Sequence, residues 1–268
     1  MTVVAAIGVV VIGLSAAMAL AWVFAIRTRR SGFIDAIWSF AVGAGGVTAA
    51  VVPLDATAAI TPRQWLVAGL TAVWSLRLGG HILARTMRGG DDPRYAHLRK
   101  RWGDDFPRRL FWFLQMQAAA AVILVVTIMT AARNPAPLLG WADLLGAVVL
   151  LVAVAGEAVA DHQLSRFGAA TGNHGKVCDA GLWRFSRHPN YFFEWLAWVA
   201  WPVIAIDVSG GYPWGFMALS GPVLMYWLLV HVSGIPPLEA HMVRSRGEPY
   251  RDYRRRVSAF WPAPLRHL

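Results

Sequence analysis

Apolar residues run along this chain in long blocks, and polar residues gather between them. Seven blocks approach the roughly 20 residues that a helix needs to cross a bilayer: Val3–Ala25, Phe33–Val52, Trp65–Leu83, Phe111–Thr130, Ala142–Leu164, Tyr191–Ile206 and Trp214–Ile235. The sixth is short, and its helix is open to extension before Pro189. The first is too long for the core of a signal peptide and has no basic residue before it, so it reads as a retained span. The segments on one side, Pro53–Gln64, Ala131–Trp141 and Asp207–Pro213, are short; those on the other are Arg27–Gly32, Ala84–Leu110, Ser165–Pro189 and Pro236–Leu268, of which the last three are long. No repeat, low-complexity tract or domain boundary interrupts the pattern. Residues 1–268 are therefore expected to form one all-α integral membrane domain with seven transmembrane helices.

Composition agrees with the pattern: 57% of residues are hydrophobic, 15% are charged, and there are 14 tryptophans. Charge sets the expected orientation. Of 25 Lys and Arg, only Arg63 and Arg133 fall in the short connections, and Arg77 lies inside the third span. The other 22 sit at the opposite end of the spans. By the positive-inside rule that end is cytoplasmic, which puts the N-terminus outside and the C-terminus inside. The net charge of +10 then reports topology and attraction to anionic membrane lipids, and excludes nucleic acid as a partner. The lone Cys178 leaves no internal disulfide and no cysteine metal site. No His-Glu-x-x-His spacing occurs, so no metal is expected. The glycines from Gly43 to Gly46 lie inside a span, which excludes a strand-borne dinucleotide loop.

Ionisable groups inside spans are costly and usually functional. Asp35 opens the second span, with Trp38 and Ser39 behind it. Arg77 and His81 lie one turn apart in the third, and Glu157 and Asp161 one turn apart in the fifth. The plain readings are a headgroup-facing charge for Asp35 and a buried structural pair for Arg77 and His81. For Glu157 and Asp161 the partner is either Arg166 or Arg184, or a ligand. The stretch Arg88-Gly89-Gly90-Asp91-Asp92-Pro93 has the chemistry of a turn, but Tyr95 just beyond it is a phenol beside positive charge. Arg99-Lys100-Arg101-Trp102 has the composition of a membrane-surface element. The tail gathers Glu239, His241, Arg244, Arg246, Tyr250, Tyr253, Arg254, Arg255 and Arg256, some expected to meet lipid headgroups and others a polyphosphate.

The densest constellation is Ser186-Arg187-His188-Pro189-Asn190-Tyr191-Phe192-Phe193-Glu194. Pro189 suits the first turn of a helix. Arg187 and His188 flank that helix N-terminus, which favours anions. Asn190 and Glu194 share a face, one turn apart. A membrane helix with an anion-friendly start and an inward carboxylate reads as a cofactor pocket.

At this run the chain resembles the steroid 5α-reductase superfamily, and more closely its bacterial branch of small membrane proteins. Further matching positions are Asp35-x-x-Trp38-Ser39, Arg77-x-x-x-His81, Asp91-Asp92-x-Arg94-Tyr95, Asp161 followed by Phe167, Gly181-Leu182-Trp183-x-x-Ser186, and Tyr250-x-x-Tyr253. The Pro-Asn-Tyr-x-x-Glu core is shared with sterol C-14 and C-7 reductases. The resemblance implies a multi-pass reductase of the bacterial inner membrane that moves a hydride from NADPH to the β-carbon of an enone in a steroid or other lipophilic substrate. It implies cofactor contacts at Asp161, Asn190, Tyr191 and Glu194, to which Arg187, His188, His241, Arg246, Tyr250, Tyr253 and Arg254 are added as candidates. Asp35 and Tyr95 are the candidate catalytic pair, with Trp38, Arg77 and His81 on the substrate side. Eukaryotic members hold the substrate carbonyl with a Gln-Glu pair in the second span, where this chain has Asp35. A similar Arg-His-Pro-x-Tyr run occurs in the isoprenylcysteine methyltransferases, which bind S-adenosylmethionine and form the alternative reading.

Overall fold

The computed structural model describes residues 2–54, 59–89, 92–173 and 175–264. Gly90 and Asp91 of the turn, part of the Pro53–Gln64 connection, and the last four residues of the tail lie outside them. The described residues contain no strand and ten α-helices: α1 (Val3–Thr28), α2 (Ile34–Val51), α3 (Pro62–Arg88), α4 (Pro93–Trp102), α5 (Phe106–Ala132), α6 (Trp141–Ala169), α7 (Pro189–Ala205), α8 (Ser220–Trp227), α9 (Ile235–Arg246) and α10 (Glu248–Arg256). Among the described residues, six helical stretches are long and apolar enough to cross a membrane: Val3–Thr28, Ile34–Val51, Pro62–Arg88, Arg94–Ala132, Trp141–Ala169 and Pro213–Arg246. The chain is an all-helical, multi-pass membrane protein.

The sixth expected span falls on α7, whose 17 residues reach about 26 Å at 1.5 Å per residue, against a hydrocarbon core of about 30 Å. The last expected span is not one regular helix. Pro213 opens a 3-10 stretch to Leu219, α8 follows, and Leu228–Val232 widens into a π-turn. Ser233 N–H reaches Leu228 O at 2.8 Å, five residues back. Pro236 and Pro237 then start α9, since proline has no N–H to donate into the preceding turn. The expected connection Ala84–Leu110 holds a helix of its own: Asp92 caps α4 by accepting from Arg94 N at 2.8 Å, and Pro93 follows at the first helical position.

The helices group into two compact units, Met1–Ala147 with Trp201–Gly221, and Val148–Ala200 with Pro222–Leu268. In the first, α2 packs against α3 and α5, and α1 against α5 and α2. Gly43 is required at the α2–α3 crossing, because a Cβ there would overlap the Ser75 hydroxyl. Helix α3 starts with a capping box: Gln64 N donates to Thr61 Oγ1 at 3.2 Å and Thr61 N donates to Gln64 Oε1 at 2.9 Å. Beside it, buried Arg63 forks onto Asp143 at 2.7 and 2.8 Å and donates to the carbonyls of Asn134, Ala136 and Leu138. Arg133 donates to the carbonyls of Ala49 and Val52. Both arginines expected in short connections are thus consumed by sealing helix ends.

In the second unit, Tyr250 and Tyr253 of α10 pack with Val257 in a small core against Val177, Met242 and Val243. The 258–264 segment is stitched to residues 185–187. Arg187 N donates to Ser258 O at 2.8 Å, Ser186 Oγ to Phe260 O at 2.9 Å, and Ala263 N to Phe185 O at 2.9 Å.

Candidate functional site

The first unit joins Asp35, in the first turn of α2, to the first turn of α4. The Tyr95 hydroxyl donates to Asp35 Oδ1 at 3.0 Å, and Arg94 pairs with Asp35 Oδ2 and with Asp92 Oδ2, the latter at 2.8 Å. Tyr95 is 3% exposed, so its proton faces the carboxylate and not water. Its ring lies edge-on to Phe113 of α5 and under the Arg94 guanidinium. Burial opposes the charge on Asp92, but the hydrogen bonds and charge of Arg94 outweigh it and hold that carboxyl below its usual range. Asp35 is therefore an ion-paired acceptor; the donor is Tyr95. Trp38 donates its indole N–H to the main-chain carbonyl of Gln117 on α5 at 3.1 Å, tying α2 to α5 beside the cluster. Arg77 and His81 are half-buried on α3.

The second unit places the Arg187–Glu194 run at the start of α7. Ser186 Oγ accepts from His188 N at 3.1 Å, and the His188 ring stacks on Tyr191 at 5.5 Å. Asn190 Nδ2 donates to Asp161 Oδ1 of α6 at 3.3 Å. Glu194 is buried and accepts from Trp198 Nε1, one turn along, at 2.9 Å. Glu157, one turn before Asp161, is buried as well. Gln163 of α6 fixes the segment before α7: it accepts from Leu182 N at 2.9 Å and fills the space where Gly181, at φ +61°, would carry a side chain.

The anion at the start of α7 is the protein's own. Glu239 of α9 receives Arg187 Nε at 2.7 Å, His188 Nε2 at 3.2 Å and Arg254 Nε at 3.0 Å. Arg187 also donates to the carbonyls of Arg254 and Val257. Burial favours neutral His188 and lowers its pKa, against the pull of Glu239. Burial likewise pushes the Tyr250 and Tyr253 phenols well above their ordinary values. Tyr253 is further occupied, donating to Trp183 O at 2.5 Å. Arg246 is half-buried at the end of α9, and His241 is exposed on that helix. The exposed Arg184 and half-buried Arg256 line a groove of about 360 Å³ with Asp179 and Gly181, and Lys176 borders a neighbouring one.

The structure thus gathers Arg187, His188 and Arg254 on one carboxylate, pairs Asp161 with Asn190, and pairs Asp35 with Tyr95. Sequence reasoning missed the role of Glu239, which no periodicity relates to Arg187, and missed Gln117 altogether. A carboxamide inside the apolar run Phe111–Thr130 was a readable signal. Among the described residues, no group of three or more His, Cys, Asp or Glu side chains is placed to hold a metal ion.

An all-helical membrane protein with polar clusters at the ends of its spans defines the class. The chain belongs to the family described as "Protein of unknown function (DUF1295)", which it matches over residues 21–257. No curated protein and no solved structure matches it.

Proposed function

We propose that this protein is a membrane reductase that uses NADPH to reduce the carbon–carbon double bond of an enone in a steroid or other lipid-like substrate. The observation that carries the reading is the buried Tyr95 hydroxyl, held 3.0 Å from Asp35 by a fold that brings together residues 60 positions apart. Negative charge growing on a substrate carbonyl is stabilised best by a donor already in place. Tyr95 supplies that donor by turning its one proton from Asp35 Oδ1 to the substrate oxygen, while Asp35 stays paired with Arg94. Asp35, fixed by Arg94, orients it.

NADPH supplies the hydride chemistry when bound. The donor set of the second unit fits a dinucleotide. Arg184, Arg256 and Lys176 are cations at open grooves, suited to phosphates. Asp161, Asn190, Tyr191 and Glu194 are the groups that the resemblance assigns to the cofactor. Arg187 and His188 act one step removed, by fixing the start of α7 through Glu239. In the same reading α7 is a seventh crossing, the N-terminus is outside, and the protein lies in a bacterial inner membrane.

The test is NADPH oxidation by purified protein in nanodiscs with progesterone as acceptor, alongside thermal stabilisation by NADPH, NADH and S-adenosylmethionine. The reading expects NADPH to stabilise more than NADH. Stabilisation by S-adenosylmethionine alone would replace it with the methyltransferase reading.

A further inference from the structure

The hydrogen bonds around Tyr95 run in one direction, and they end on an unmatched acceptor. The phenol has a single proton, and it goes to Asp35 Oδ1 at 3.0 Å. The Gln117 carboxamide approaches that same hydroxyl from α5. With the proton already spent, the end of Gln117 that faces the phenol oxygen is its NH₂. Donation then runs from Tyr95 to Asp35, with the NH₂ end of Gln117 turned toward the phenol oxygen and Arg94 closing the set on Asp35 Oδ2. This leaves Gln117 Oε1, which is buried and has no hydrogen-bond partner among the described residues. The nearby indole donor of Trp38 is committed to the main-chain carbonyl of Gln117. The donors of Tyr95, Trp38 and Arg94 are committed, and one acceptor is left over. A buried acceptor without a donor is costly and calls for an explanation. The position sets the character of whatever supplies the donor: Gln117 lies inside Arg94–Ala132, a stretch apolar enough to cross a membrane.

We infer that Gln117 is a ligand-binding residue whose Oε1 receives the hydroxyl of a lipophilic alcohol. The inference goes beyond the reductase reading, because it concerns the polarity of the ligand group and needs no cofactor. It makes the cluster selective: a ligand offering only an ether or carbonyl oxygen at that point meets another acceptor, whereas an alcohol completes the network.

The experiment uses the full chain in nanodiscs, without nucleotide. Two matched probe pairs, testosterone with its methyl ether and farnesol with its methyl ether, are titrated by equilibrium dialysis. The wild type is expected to bind at least one alcohol about tenfold more tightly than its ether. Gln117→Met should erase that ratio by weakening the alcohol alone, and Gln117→Glu, which keeps an acceptor, should retain it. As a check that needs no variant, wild-type protein with isotope-labelled glutamine carbonyls should show one carboxamide signal that moves with the alcohol and not with the ether. Equal affinity within both pairs, or no binding of any probe, overturns the inference and leaves water as the partner of Oε1. A preference that survives in Gln117→Met overturns it too. NADPH oxidation is not read, so failure of the reductase reading leaves this result standing, and the reverse holds as well.

Discussion

Replacing Glu239 by Gln removes one charge and disturbs three donors, the cations Arg187 and Arg254 and the His188 ring. The side chains of Glu239 and Arg187 are each 9% exposed, and their atoms are 2.7 Å apart. Breaking one side of a buried pair costs about 3–5 kcal/mol, because the remaining charge is stranded. Arg187 keeps two carbonyl acceptors, Arg254 O and Val257 O, so the lower end applies. Arg254 is 45% exposed, and its pairing adds at most about 0.5 kcal/mol. A total near 3 kcal/mol corresponds to a fall in Tm of roughly 6–12 °C for a chain of this size. Thermal unfolding in detergent, followed by tryptophan fluorescence, reads it directly. A cycle with Arg187→Met separates the pair from general damage, since the double variant should lose clearly less than the sum of the single ones. A fall below about 2 °C in Glu239→Gln, or strict additivity in the cycle, would refute the view of Glu239 as the hub that sets the start of α7.

Three further outcomes follow from the geometry. Tyr95→Phe should lower turnover of progesterone by about 10²–10⁴-fold, and Asp35→Asn should lower it as well, with NADPH affinity nearly intact in both; lost affinity at unchanged saturated turnover would place both residues at the cofactor. The pKa of His188 is depressed in the folded protein, so below its unfolded value of about 6.5 the unfolded chain binds more protons. Stability should therefore fall as pH drops from 7.5 to 5.5, and His188→Gln should flatten that part of the profile; an unchanged slope in the variant assigns the loss to other groups. Gly181→Ala should destabilise by at least about 1 kcal/mol, since its φ of +61° is strained for alanine and Gln163 occupies the space; an unchanged Tm would show that the turn relaxes freely.

The membrane helices were legible because apolar run length alone decides them. Helices α1, α2, α3, α5 and α6 overlap the expected spans, with ends shifted by a few residues where caps such as Thr61 act. The break after Trp227 was harder to read: Pro222, Pro236 and Pro237 are visible, but a π-turn depends on local packing that hydropathy ignores. Asp35 and Tyr95 could be named as a pair from their chemistry, since both stand out against apolar or basic neighbours. Glu239 could not be assigned to Arg187, 52 residues away, because a long-range ion pair leaves no period in the sequence. Gln117 stands out as a carboxamide within an apolar run, but Gln115 two residues earlier carries the same signal, and only the fold tells the two apart.

The Arg63–Asp143 fork also has a bearing on how the chain is made. Arg63 leaves the ribosome 80 residues before the carboxylate that neutralises it. At about 5–20 residues per second that is a wait on the order of 4–16 s. Three of its carbonyl acceptors, at 134, 136 and 138, arrive in the same late stretch. During the wait the start of α3 presents a charged guanidinium with none of its final acceptors yet made. A nascent chain stopped before residue 134 thus leaves that guanidinium without any of these acceptors, and the seam at the start of α3 closes only as the stretch from Asn134 to Asp143 arrives.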